Sequence, residues 1–206
     1  MDVKYTGYTE LELTNEQYNE IYTDHRLSGY IFHENEYILG VNEFGEPIDK
    51  FCYQNGKLRP VRFTTFSNAY TGALKPRNIH QELAFDMLKD KTSKIKLVTG
   101  RFGSGKTLAM TNAALELIEK GKFERIVWVR NNVSVKDAPE IGFLPGTELE
   151  KMKPFLGPLI DHVGGEEGVM KLLEDGKLVV IPLGHLRGRS LKNSIVFCSE
   201  CENLTR

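Results

Sequence analysis

Residues 100–107 read Gly100-Arg101-Phe102-Gly103-Ser104-Gly105-Lys106-Thr107, the spacing G-x-x-x-x-G-K-[ST]. An apolar run, Ile95 to Val98, precedes the loop, and a helix-like stretch, Leu108 to Glu119, follows it. Strand, glycine-rich turn and helix in that order make a cradle for a polyphosphate. The glycines let backbone N–H groups converge on anionic oxygens, and the helix N-terminus adds the positive end of its dipole. Lys106 supplies a point charge for the β- and γ-phosphates, and Thr107 a hydroxyl for Mg²⁺. Nucleotide binding through Gly100, Gly103, Ser104, Gly105, Lys106 and Thr107 is the chemistry that this spacing implies.

Three further groups of residues could serve such a loop. The apolar run Ile195-Val196-Phe197-Cys198 ends at Ser199-Glu200, where a P-loop protein places one acid to anchor the Mg²⁺ shell and a second to orient or deprotonate the attacking water. Glu200 suits the second role and stands with Lys106 as a catalytic candidate; Ser199 brings only a neutral hydroxyl to the metal. Upstream, the amide of Gln81 can donate and accept in one plane, and so could read N6 and N7 of adenine and select ATP over GTP. A solvated glutamine on a helix has the same spacing. Finally, Arg187-Gly188-Arg189-Ser190 in a turn, and Arg130 at the end of a strand, offer guanidinium groups to phosphates of RNA or DNA.

These residues need a scaffold, and the rest of the chain describes one. The 206 residues, 40% hydrophobic, suffice for a domain with a real interior. The net charge of −1 divides into −5 for residues 1–73 (6 basic, 11 acidic) and +4 for residues 74–206 (21 basic, 17 acidic), so the half bearing the loop is the mildly basic one. Three cysteines without framework spacing point to a reducing compartment. Cys198-x-x-Cys201 has the spacing of a redox pair or half a zinc site, but no second pair accompanies it. The start has no apolar signal region and no apolar run is long enough for a bilayer; a cytoplasmic protein with no membrane partner is expected.

Before a boundary at about Ser67 to Lys75, Tyr5 to Leu13 alternates loosely, and Thr14 can cap a helix through Arg26. Glu36 to Val41, Ile48 to Tyr53 and Leu58 to Phe63 read as short strands, with Asn55-Gly56 a hairpin cue. This gives a small β-rich α+β module, residues 1–73, whose tyrosines are expected to pack a core. After the boundary, helix and strand alternate as a parallel α/β sheet requires: helix Arg77 to Leu88, strand Lys94 to Thr99, helix Thr107 to Glu119, strand Arg125 to Val129, helices Glu148 to His162 and Glu167 to Glu174, strands Lys177 to Ile181 and Ser194 to Ser199.

Several elements together resemble the PhoH family of ATPases: Leu74-Lys-Pro-Arg-Asn78 with Gln81, the loop 100–107, Ile141-Gly142-Phe143-Leu144-Pro145-Gly146, the stretch Lys151 to Leu159, Arg187-Gly188-Arg189-Ser190, and Glu200-Cys-Glu-Asn203-Leu-Thr205. The resemblance covers residues 74–206. It implies a P-loop NTPase with a parallel sheet similar to RecA and superfamily I helicase cores, ATP and Mg²⁺ as cofactors, hydrolysis linked to single-stranded RNA or DNA, and homo-oligomers. Residues 1–73 resemble the module that follows the nuclease in PIN–PhoH fusions, here without that nuclease, and the short form resembles PhoH-like proteins of large bacterial viruses. Two departures stand out. The family pattern has Asp-Glu where this chain has Ser199-Glu200, and it continues beyond that strand, which implies a truncated chain, a split gene or a partner polypeptide that supplies the C-terminal segment. The rival readings are a catalytically silent nucleotide-binding or assembly module, and a small-molecule P-loop kinase, which would need an arginine-bearing lid.

Overall fold

The computed structural model describes residues 7–130, 156–183 and 186–199. Glu200, Cys201, the Gly142 to Gly146 element, the first part of the Glu148 to His162 helix and the terminal Glu200 to Thr205 stretch lie outside the described residues. Contacts divide the chain into two compact units: Met1–Thr64 with Pro76–Met87, and Thr65–Lys75 with Leu88–Arg206. The units interleave across the boundary expected at residues 73 and 74. Residues 76–87 pack with the N-terminal strands, and residues 65–75 pack with the phosphate loop's own helix. Both exchanges have a physical cause in apolar faces and polar contacts described below.

In the first unit, β1 (Tyr8–Glu12), β2 (Tyr37–Val41), β3 (Pro47–Gln54) and β4 (Lys57–Pro60) form a sheet in the order β1-β2-β3-β4. β1 runs parallel to β2, and the other two pairings are antiparallel. Helix α1 (Asn15–Asp24) begins at Thr14, whose hydroxyl accepts from the Gln17 N–H while the Gln17 side chain accepts from the Thr14 N–H. This reciprocal capping box satisfies two of the donors that a helix start leaves open. Asn55 and Gly56 turn β3 into β4 at φ 52° and 77°, as the tight hairpin turn requires at both central positions.

The sheet is covered on both faces, so all five residues of β2 are buried. Ile38 points with Phe51 and Leu58 toward Ile21 of α1. Tyr37, Leu39 and Val41 point the other way, against Leu83, Ile79 and Met87 of α2 (Ile79–Lys89). Alternation along one strand thus requires two helices, and α2 is the second.

The second unit contains the hairpin β5 (Phe66–Asn68) and β6 (Gly72–Leu74), helix α3 (Lys106–Glu119), strand β7 (Arg125–Arg130), helix α4 (Gly165–Glu174), and strands β8 (Leu178–Pro182) and β9 (Ser194–Ser199). The three later strands form a parallel sheet in the order β8-β7-β9. Trp128 and Phe197 stack across β7 and β9 with ring centroids 4.3 Å apart. They share a core with Leu115 and Ile118 of α3, Leu156 and Leu159 of a helical turn at 156–160, and Val169 and Leu172 of α4. The strand expected at Lys94 to Thr99 does not form: these residues carry no sheet pairing, and Ile95 and Leu97 are 90% and 74% exposed. Alternating apolar and lysine residues fit an amphipathic strand, but a strand also needs a ladder partner, and none of the described strands provides one. Among the described residues no helix is long and apolar enough to cross a membrane.

Polar contacts fix α2 onto its sheet. The Arg59 guanidinium donates to both Asp86 oxygens, at 3.1 and 2.7 Å, and the Tyr37 hydroxyl donates to Asp86 Oδ2 at 2.7 Å. Lys50 pairs with Glu82 at 3.0 Å. Burial first, and the neighbouring Asp86 charge second, raise the Tyr37 hydroxyl well above its ordinary value of 10.0. The folded chain therefore keeps a proton that the unfolded chain releases, and the stabilisation, fully present below about pH 10, is lost as pH rises above it. Tyr37→Phe is expected to lower stability near neutral pH by about 0.5–1.5 kcal/mol. It should also flatten the alkaline decline, measured by thermal unfolding across about pH 8–11; parallel pH curves for the two proteins would contradict this account.

Candidate nucleotide site

The loop before α3 takes backbone conformations that side chains resist. Gly100, Gly103 and Gly105 have φ of 153°, 73° and 83°, and a Cβ on Gly100 would come 3.1 Å from Ser104 Oγ. Gly105 is the N-cap of α3, without a side-chain cap bond. The first helical N–H groups are thus left for an external acceptor, at the end where the helix dipole is positive. The Lys106 ammonium folds back into the loop and donates to the carbonyls of Gly100 and Arg101 at 2.7 and 3.0 Å. Its charge is in this way held within the ring of backbone that a phosphate would enter. Thr107, partly buried in the first turn, is the next residue. This donor set fits a nucleoside triphosphate with its Mg²⁺. Phe102 at the loop tip is fully exposed, with Lys106 Nζ 6.0 Å from its ring centre.

The carboxyl edge of the parallel sheet gathers two further candidates. Register pairs Arg130 of β7 with Ser199 of β9 and with Pro182 of β8, so the two strand ends stand side by side where open α/β sheets bind ligands. Arg187 and Arg189 are exposed in the turn after β8. That turn is held by Leu186 and Leu191, which pack on Val127, Val129 and Ile181, and by the Arg189 N–H bonded to the Leu186 carbonyl. Among the described residues neither guanidinium has an ion-pair partner. Gln81 is placed differently. It belongs to the first unit and the phosphate loop to the second. Its N–H donates to Asn78 Oδ1 at 2.9 Å and its Oε1 accepts from the Arg77 N–H at 2.8 Å, so the amide oxygen is engaged at the start of α2.

A glycine loop with a helix-terminal lysine, followed by parallel β-strands, defines the class as a P-loop nucleotide-binding protein of mixed α/β fold. The family described as "PhoH-like protein" matches residues 73–206, and the chain belongs to it. It is 26% identical to Protein PhoH2 of Bacillus subtilis over 100% of this chain and 49% of that protein. To Protein PhoH2 of Thermobispora bispora it is 35% identical, over 65% of this chain and 31% of the relative, and to Protein PhoH2 of Mycolicibacterium smegmatis 28%, over 98% and 46%. The chain spans about half, or less, of the length of these curated relatives. The family is one of P-loop NTPases, which supports nucleotide binding here.

Sequence reasoning missed what holds α3 in place. Residues 66–74 had the composition of a boundary, yet they form a hairpin bonded along the helix. Ser67 and Ala69 N–H groups donate to Glu116 and Glu119 at 2.7 and 2.5 Å. Asn68 Nδ2 and Thr71 Oγ1 both donate to Asn112 Oδ1, at 3.1 and 2.5 Å, and Asn112 in turn donates to the Leu108 carbonyl. Burial opposes ionisation of Glu116, but the Lys120 bond, the Ser67 N–H and the Lys89 charge outweigh it and lower its pKa. The available signal was Asn112 and Glu116 among the apolar residues of the middle of the helix: both are buried, and buried polar groups need partners. Asn112→Ala would leave the Thr71 hydroxyl without its acceptor and the Asn68 amide with only the Thr71 oxygen. A loss of about 1–3 kcal/mol is expected, read from urea unfolding; a change within about 0.5 kcal/mol would mean that the hairpin does not anchor the helix.

Proposed function

We propose that this protein binds ATP with Mg²⁺ and hydrolyses it, in a RecA-like P-loop unit whose turnover is coupled to single-stranded RNA or DNA. The observation that carries the reading is the Lys106 ammonium, held on the Gly100 and Arg101 carbonyls at the N-terminus of α3. On binding, Lys106 exchanges those carbonyls for β- and γ-phosphate oxygens, while the N–H groups from Gly103 to Thr107 take the remaining anionic oxygens. Thr107 holds Mg²⁺ through its hydroxyl, and Ser199 hydrogen-bonds a water of the metal shell. Glu200 orients the attacking water and takes its proton. Arg187, Arg189 and Arg130 meet backbone phosphates of the strand.

A second reading, a nucleotide-binding or assembly module without turnover, is favoured by Ser199, which brings no charge to the metal. ATP turnover with and without single-stranded RNA and DNA separates the two: strand-stimulated hydrolysis supports the first, and binding without hydrolysis the second. Lys106→Ala should weaken ATP binding more than tenfold, about 1.5–3 kcal/mol for a lost charge-assisted contact. Unchanged affinity by calorimetry would refute the phosphate assignment. Gln81 has a two-sided test. If its amide reads adenine, Gln81→Ala narrows the gap between ATP and GTP affinity by roughly 1–3 kcal/mol; if it only caps α2, the ratio holds and stability falls by about 0.5–2 kcal/mol.

A further inference from the structure

The other end of α3 bears a second concentration of positive charge. A cavity of about 140 Å³ is lined there by Lys89, Lys91, Lys120 and Lys122, with Glu116 and Phe66 among its other walls. Four lysines and one carboxylate thus line it. Glu116 is paired with Lys120 at 2.5 Å and with Lys89 at 3.4 Å, and Lys89 also donates to the Thr65 carbonyl at 2.6 Å. Lys91 and Lys122 are exposed, and among the described residues neither side chain has a hydrogen-bond or ion-pair partner. The carbonyl end of α3 adds about half a negative charge, which leaves an excess of about two and a half positive charges around the cavity. Neutralising that helix end accounts for Lys120, but not for Lys91, which lies on a different segment. The 14 residues of α3 put this cavity about 20 Å from the phosphate loop, too far for one nucleotide's phosphates to use both.

We propose that this cavity binds a backbone phosphate of a single-stranded nucleic acid, with Lys91 and Lys122 as its direct contacts and Lys120 and Lys89 as flanking charges. A strand fits better than a small free anion, because three of the four lysines are exposed. A compact anion site encloses its ligand, whereas exposed ammonium groups suit a polyanion that passes over them. The inference rests on the reading that this protein meets RNA or DNA, and it adds a site separate from Arg187 and Arg189.

The test is fluorescence anisotropy of labelled single-stranded RNA and DNA oligonucleotides with the full chain over a range of salt. Lys91→Ala with Lys122→Ala should weaken binding and reduce the slope of log K against log salt by up to about 2, while Lys91→Arg with Lys122→Arg retains both. If the unaltered chain binds strands but the alanine pair leaves affinity and slope unchanged, this site is overturned and the nucleic-acid reading stands. If no strand binds even at low salt, both fall. Tripolyphosphate that binds in a Lys91- and Lys122-dependent way, where strands do not, would overturn the strand as occupant and leave a small-anion site.

Discussion

A phosphate loop must be built from residues that do little to hold it. Gly100, Gly103 and Gly105 sit at φ values that other residues resist, and each loses more conformational entropy on ordering than a residue with a side chain would. The α3 N-cap has no side-chain bond of its own. Order at the nucleotide end is therefore imported along the helix from its flanks. One flank packs Leu115 and Ile118 into the core around the stacked Trp128 and Phe197. The other is bonded through Asn112, Glu116 and Glu119 to the β5–β6 hairpin. Apolar contact fixes depth but tolerates sliding, whereas hydrogen bonds with set partners fix rotation and register. The helix needs both if the first N–H groups are to face a ligand.

That division explains which features could be read in the sequence. The phosphate loop, the Thr14 capping box and the Asn55-Gly56 turn are each decided within a short stretch of chain, eight residues at most, because the backbone conformation they require suits few residue types. All three appear in the structure as expected. Strands β7, β8 and β9 were legible as continuous apolar runs, the pattern of a sheet covered on both faces. What escaped depends on a distant partner. Lys94 to Thr99 has a strand's composition but no described ladder partner, and β5 has the composition of a linker until Asn112 and Glu116 are placed opposite it. Helix α2 was read correctly as a helix. Its allegiance to the N-terminal sheet was not visible, because the face that it covers lies on Tyr37, Leu39 and Val41, some forty residues away along the chain.

The candidate site divides in the same way. Lys106 and its glycines are local, and the structure brings them together with the helix terminus they need. Ser199 and Arg130 become neighbours only through the parallel register of β7 and β9, which the sequence implies but does not fix. Gln81 shows the opposite case. An amide at the third helical position is also what a capping interaction uses, and its Oε1 is engaged by the Arg77 N–H. Residue type and spacing alone could not separate adenine recognition from helix initiation.

The interleaving of the two units gives the segment between α2 and the loop a particular place. The chain passes between the units at Thr64–Thr65, at Lys75–Pro76 and at Met87–Leu88, and the last of these crossings leads through residues 88–99 to the phosphate loop at Gly100. Two lysines fix that segment. Lys89 is bonded to the Thr65 carbonyl and paired with Glu116, and Lys96 donates to the Asp90 carbonyl at 2.7 Å. Glu116 in turn receives the hairpin's Ser67 N–H. The linker, the hairpin and the far end of α3 thus meet on one buried carboxylate, and a phosphate drawing Lys89 or Lys120 away from Glu116 would act on the helix whose first turn belongs to the proposed nucleotide site. The charge at one end of α3 and the proposed phosphate site at the other are joined by contacts already present in the fold.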